Sequence, residues 1–300
     1  MNIEQMTRPA DGERQVEEKP GDVWRMVFPF AVALCFCGIT ARMTLASWWY
    51  EYTLADSYYS HALLVPALCA AMMWRIRDRL RRIKPERSLI ALVVLGFFTL
   101  MQIDAEHREI EIVNSWTFIA MIWSAIWFAA GGRFIRTAWF PLLFLTAMAP
   151  LPGPLLNDAT HGLQQLSTAG AAWMLNHIGF DNVRNGYEIR LADYTLFVDV
   201  PCSGFKTLLA LLTFDAFFAN MLDGSLSRRL AIFAASVPLA LTVNIARIFL
   251  IAIVGECLSD AGAHAFHDYS GIITLIFGFS ILFGLARIFG CRKFAGLALF

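Results

Sequence analysis

The stretch VPCSGFKTLLALLTF, Val200 to Phe214, is where the chain changes character. Before it lies a long polar segment punctuated by Pro and Gly. After Lys206 comes TLLALLTF, which reads as membrane. Composition gives the same reading for the chain as a whole. Of 300 residues, 58% are hydrophobic and 16% charged, with a mean hydropathy of +0.56. A soluble domain is normally about a quarter charged. The expectation is an integral membrane protein, all-α and polytopic. Net charge is zero, so the balance implies no nucleic-acid partner. The cysteines, at 35, 37, 69, 202, 257 and 291, form no CxxC pair and no metal spacing. No disulfide framework, metal site or cofactor is implied.

A spanning helix needs about 20 largely apolar residues. Working outward from Gly204, eight candidates emerge: roughly 26–48, 59–75, 88–104, 112–131, 136–151, 203–222, 229–255 and 268–288. The Lys/Arg content of the connections sets the expected orientation. RIRDRLRRIKPER at 75–87 holds seven basic residues and is expected inside, with GGRFIR (131–136), SRR (227–229) and CRK (291–293). The opposite loops are acidic or mixed. Both termini are therefore expected in the cytoplasm, residues 1–22 as a disordered tail and 23–300 as a single membrane domain. The extracytoplasmic insertion covers about 152–202. It should hold an amphipathic interfacial helix, with Leu163, Leu166, Ala169, Trp173 and Leu175 at helical spacing. A small β-hairpin with turns at Asn185-Gly186 and Ala192-Asp193 should follow.

Cys202 stands at the outer end of the sixth span. A thiolate is the nucleophilic form of cysteine, and a helix N-terminus or a nearby cation lowers the thiol pKa. Both are expected here, the cation being Lys206, one turn along. Gly204 would let a substrate backbone approach, and Ser203 would cap the helix. Arg247 lies about eight residues, or about 12 Å, below the outer end of its span. A charge there costs at least about 2.5–3.5 kcal/mol and should face a bundle interior or wet cavity. Asn244 is one turn earlier on the same face. His267, followed by Asp268, opens the eighth span. Topology puts a thiol, a guanidinium and an imidazole in one leaflet, the set that covalent catalysis needs. A structural cysteine in a transporter or scaffold remains the competing reading at this point. No GxSxG, HExxH or P-loop supports another enzyme class.

PCSGFKTLLALLTF, NIARIFLIAIVG and FHDYSGIITLIFG resemble the signature blocks of the exosortase/archaeosortase family. YYSHALLVPALCAAMMWRIR (58–77) and residues 149–179 resemble earlier blocks in the same order. The resemblance implies a membrane cysteine transpeptidase. Its catalytic set would be Cys202, Arg247 and His267, with Ser203, Gly204, Lys206, Asn244 and Asp268 in support. The implied substrates are secreted proteins ending in a Pro-Glu-Pro-type motif, a transmembrane helix and a basic tail. Cleavage would pass the new C-terminus to a membrane lipid or another acceptor amine at the outer face of the inner membrane. Phe205-Lys206, and Asp199 where many members carry Glu, depart from the family pattern and imply a variant subfamily. The alternatives are a non-enzymatic transporter or assembly factor for exopolysaccharide export, and an acyltransferase using a lipid donor.

Overall fold

The computed structural model describes residues 31–54, 57–291 and 293–298. The expected tail 1–22 lies outside them. The first apolar run folds as α1 (Ala31–Thr40) and α2 (Arg42–Thr53), which meet at 76°. At the break the Thr40 hydroxyl donates back to the carbonyls of Phe36 and Cys37, a bond that bends helices. The second run gives a 3-10 turn (Ser60–Leu64) and α3 (Val65–Arg75), with Pro66 in its first turn. At 11 residues α3 is only about 16 Å long, too short to span. The basic loop carries α4 (Arg77–Arg81), and α5 (Leu89–His107) and α6 (Glu111–Ala130) form a long hairpin. Short α7 (Gly132–Thr137) and α8 (Trp139–Phe144) follow, α8 running through a 3-10 turn to Met148. Pro150 and Pro152 then stop the chain from continuing helically. α9 (Gly153–His177) leaves at 83° to α8. The last three helices are α10 (Phe205–Met221), α11 (Leu226–Cys257) and α12 (Asp260–Ile288).

Among the described residues α5, α6, α11 and α12 are long and apolar enough to cross a membrane, and the count reaches six if each bent pair is one span. That is fewer than the eight expected from hydropathy. The bent pairs are two of the eight candidates, and the other two differ by length: α3 has 11 residues, after a 3-10 turn, and α10 has 17.

The expected hairpin segment forms three antiparallel strands, β1 (Val183–Asn185), β2 (Glu188–Arg190) and β3 (Thr195–Phe197). Gly186 makes the first turn at φ +61°. A second small ladder, β4 (Lys293–Phe294) with β5 (Leu297–Ala298), closes the chain.

Helix faces are polar inward in several places. Gln102 of α5 is fully buried; its amide donates to Thr44 Oγ1 at 2.8 Å and accepts from Thr117, tying α2, α5 and α6 together. α9 shows the same inversion. Its buried side is Thr160, Gln164, Ser167, Thr168, Ala171, Ala172 and Leu175, while Leu166 and Trp173 are more than half exposed. Of the apolar stripe expected on an interfacial helix, Leu166 and Trp173 are exposed, Leu163 and Ala169 half-buried and Leu175 buried. Lipid offers no hydrophobic drive between helices, so small and hydroxyl residues take the contacts and leucines the acyl chains.

The two ends of the bundle differ in charge. Arg75 donates to the Asn220 carbonyl at 2.6 Å, Arg229 donates to the Ala219 carbonyl at 2.8 Å, and Arg133 lies 3.8 Å from Glu86. The Lys/Arg-rich connections therefore gather at the end where α3 and α10 finish and α11 starts. The opposite end holds Cys202.

Candidate active site

Cys202 does not begin a helix. It lies in a 3-10 turn (Val200–Ser203), and Gly204 at φ +84° separates it from α10. The turn is fixed from several sides. Cys202 N–H donates to Asp199 O at 2.9 Å. The Gln164 amide of α9 donates to Val198 O, and Asn244 of α11 donates to Cys202 O at 3.2 Å and Ser167 Oγ at 3.0 Å. A Cβ on Gly204 would sit 2.4 Å from Asn244 Cγ. This position needs glycine twice over, for the positive φ and for the close approach of Asn244. Ser203, fully buried, accepts Phe205 N–H at 3.2 Å, which provides the expected helix-start bond.

His267 comes from α12. Hydropathy puts the start of this helix at 268, but it begins at Asp260, where Ser259 Oγ accepts Gly262 N–H at 3.0 Å. His267 therefore sits two turns into a regular helix. Its Nε2 lies 2.6 Å from Cys202 Sγ. Nδ1 is 3.5 Å from Asp268 Oδ1, a long contact to a carboxylate that is 77% exposed. Asp268 is thus only a weak orienting partner.

Arg247 is buried on α11. Its Nε donates to Ser270 Oγ at 2.7 Å and an Nη to the His267 carbonyl at 3.2 Å, and Ser270 also donates to that carbonyl at 2.8 Å. Among the described residues no carboxylate lies within 4.0 Å of the guanidinium. A buried cation with hydrogen-bond partners but no counter-ion can accept a developing negative charge.

Burial pushes the Cys202 thiol above its ordinary range, Arg247 opposes the rise and Asp199 adds to it. This overturns the expectation of a thiol lowered by a helix terminus and Lys206. The helix terminus is displaced by Gly204, and the opposing cation is Arg247. Lys206 is half-buried on the first turn of α10.

Sequence reasoning missed Ser270 and Ser167 as partners, and Tyr194, whose ring packs where a Cβ on Gly255 would stand. Thr160, Gln164, Ser167 and Thr168 recur at helical spacing, and that polar stripe was a readable sign of the inward face.

The architecture defines a polytopic integral membrane protein with a buried cysteine against a half-buried histidine, backed by a guanidinium. The chain belongs to the transmembrane exosortase family (Exosortase_EpsH), whose family model matches residues 48–284. No curated protein and no solved structure matches it.

Proposed function

We propose that this chain is a membrane-embedded cysteine transpeptidase. It acts on secreted proteins held at the membrane by a C-terminal motif, transmembrane helix and basic tail. The observation that carries the reading is the 2.6 Å approach of Cys202 Sγ to His267 Nε2, with Arg247 bonded to the backbone of that same histidine.

Burial favours a neutral thiol in the resting site. The nucleophile must then be made during attack. As the Sγ–C bond forms at the substrate carbonyl, the thiol proton passes to Nε2. Arg247 stabilises the oxyanion. The imidazolium gives its proton to the leaving amine as the C–N bond breaks, which leaves a thioester on Cys202. An incoming amine attacks the thioester, His267 takes a proton from it, the C–S bond breaks, and that proton returns to sulfur. Asn244 holds the Cys202 carbonyl and fixes the turn that presents the sulfur. A pocket with little water suits transfer over hydrolysis.

The gathering of basic connections at the far end supports an orientation with that end in the cytoplasm. The site would then open on the exterior of the cell (inner) membrane, with both termini cytoplasmic.

The test is co-expression with candidate anchored secreted proteins, comparing intact masses for wild type and Cys202→Ala. An enzyme loses processing in the variant while the variant still inserts and folds. Unchanged processing returns the chain to a transporter or assembly factor.

A further inference from the structure

Attack on a carbonyl puts negative charge on its oxygen. Acyl-transfer sites hold that oxygen with paired donors, one of them commonly the N–H of the nucleophile itself. Here that N–H is engaged: Cys202 N donates to Asp199 O at 2.9 Å. Arg247 supplies one donor, with its Nε and an Nη already bonded inside the α11–α12 hairpin. A second donor is missing from the set of Cys202, Arg247 and His267.

The β2–β3 turn brings one to the site. Leu191 N–H donates to Tyr194 O at 2.8 Å and closes the turn. Asp193 N–H donates to both carboxylate oxygens of Glu256, at 3.2 and 3.1 Å, which straps the turn to the outer end of α11. Gly255, next to Glu256, leaves a seat for Tyr194. A Cβ there would lie 2.3 Å from Tyr194 Cε1 and 2.6 Å from Cζ. The ring packs against the cluster that contains Cys202, Ile248 and Ala252.

The seat is level with the imidazole. Arg247 bonds Ser270 across the hairpin, and a Cβ on Gly262 would meet Val254 Cγ1 at 3.5 Å, so Gly255 faces the first turns of α12, ahead of His267. Helix side chains lean toward the N-terminus of their helix, which carries the His267 ring outward to that level. The half-buried Tyr194 hydroxyl is not spent, since it makes no hydrogen bond among the described residues. Burial, with the charges of Asp260 and Cys202, pushes the phenol above its ordinary range, so it keeps its proton and can donate.

We propose that the Tyr194 hydroxyl is the second oxyanion donor, acting with Arg247 on the substrate carbonyl, an inference that rests on the transpeptidase reading above. As the Sγ–C bond forms, the carbonyl π pair moves onto oxygen. That oxygen accepts from the Tyr194 O–H and from an Arg247 N–H. Both donors keep their protons, and the thiol proton goes to His267 alone. When the C–N bond breaks, the pair returns to the C=O bond and both hydrogen bonds weaken. The same two donors serve the later attack on the thioester.

The test uses full-length protein in nanodiscs and Tyr194→Phe, which keeps the ring on Gly255 and removes only the hydroxyl. Two reagents are compared at Cys202 by mass spectrometry of its peptide, with Cys202→Ala as the blank. p-Nitrophenyl acetate acylates a thiol through a tetrahedral oxyanion. Iodoacetamide alkylates it at a saturated carbon and forms none. Tyr194→Phe should slow acylation by about tenfold or more and leave alkylation within about twofold of the parent. Acylation that is as fast in the variant as in the parent overturns the proposal, as does a parent that is acylated no faster than the blank. Alkylation slowed as much as acylation also overturns it, because the hydroxyl then acts on the thiol or the fold and not on the oxyanion. Neither reagent needs a sorting substrate. The transpeptidase reading fails if processing survives Cys202→Ala, whereas this proposal fails if acylation survives Tyr194→Phe, so the two failures are distinguishable.

Discussion

Gly204→Ala tests whether the catalytic turn is locked by contact with α11 or only by its own backbone. Gly204 sits at φ +84°, and Gly179, just past α9, sits at φ +92°. A non-glycine residue in left-handed geometry costs about 1–2 kcal/mol at either place. The positions differ in surroundings. An added Cβ at 179 meets nothing within 4 Å; at 204 it falls 2.4 Å from Asn244 Cγ and 2.6 Å from Nδ2. Asn244 must move and give up its bonds to Ser167 and to the Cys202 carbonyl, each worth about 1 kcal/mol. Gly204→Ala should therefore cost about 2 kcal/mol more than Gly179→Ala. At roughly 2–4 °C per kcal/mol the added loss is about 4–8 °C in Tm, compared at one scan rate in one detergent. Adding Asn244→Ala to Gly204→Ala should recover part of the loss, since the pair is in contact. Equal losses at 204 and 179 would refute the lock.

Ser270→Ala removes the partner of a buried guanidinium, so Tm should fall by an amount equivalent to about 1.5–3 kcal/mol, read by the same melts. Alkylation of Cys202, followed by mass spectrometry of its peptide, should have a midpoint above the ordinary 9.0, because burial disfavours the thiolate, and Arg247→Gln should move it further up by removing the opposing cation. A midpoint below 9.0 sinks that account of the resting thiol. His267→Gln should slow substrate processing by about 10²–10⁴-fold with folded yield unchanged; an unaffected rate removes the imidazole from the mechanism.

The membrane character was legible because composition alone decides it. The convergence of Cys202, Arg247 and His267 was legible from topology, since Cys202 precedes α10, Arg247 lies in the last third of α11 and His267 in the first third of α12. Boundaries were less readable. The segment from Asp260 to His267 is polar and looked like loop, although Ser259 followed by Asp260 is a helix-start signal. The apolar stripe of α9 was legible, but it does not say that the polar side, Thr160, Gln164, Ser167 and Thr168, packs inward, because small and hydroxyl residues take the helix contacts in a bilayer. Ser167 and Ser270 carry no pattern of their own; only the packed helices show whose hydrogen bonds they complete. The thiol's environment depended on a single residue, Gly204, standing between Cys202 and the helix.

The connection between α11 and α12 is two residues, Leu258 and Ser259. Arg247 and His267 thus ride on one stiff hairpin, whereas the sulfur arrives on a separate strip of chain clamped beneath α9. The sulfur–imidazole contact therefore joins two separate stretches of chain, and Asn244 of the same hairpin, bonded to the Cys202 carbonyl, sets the distance between them.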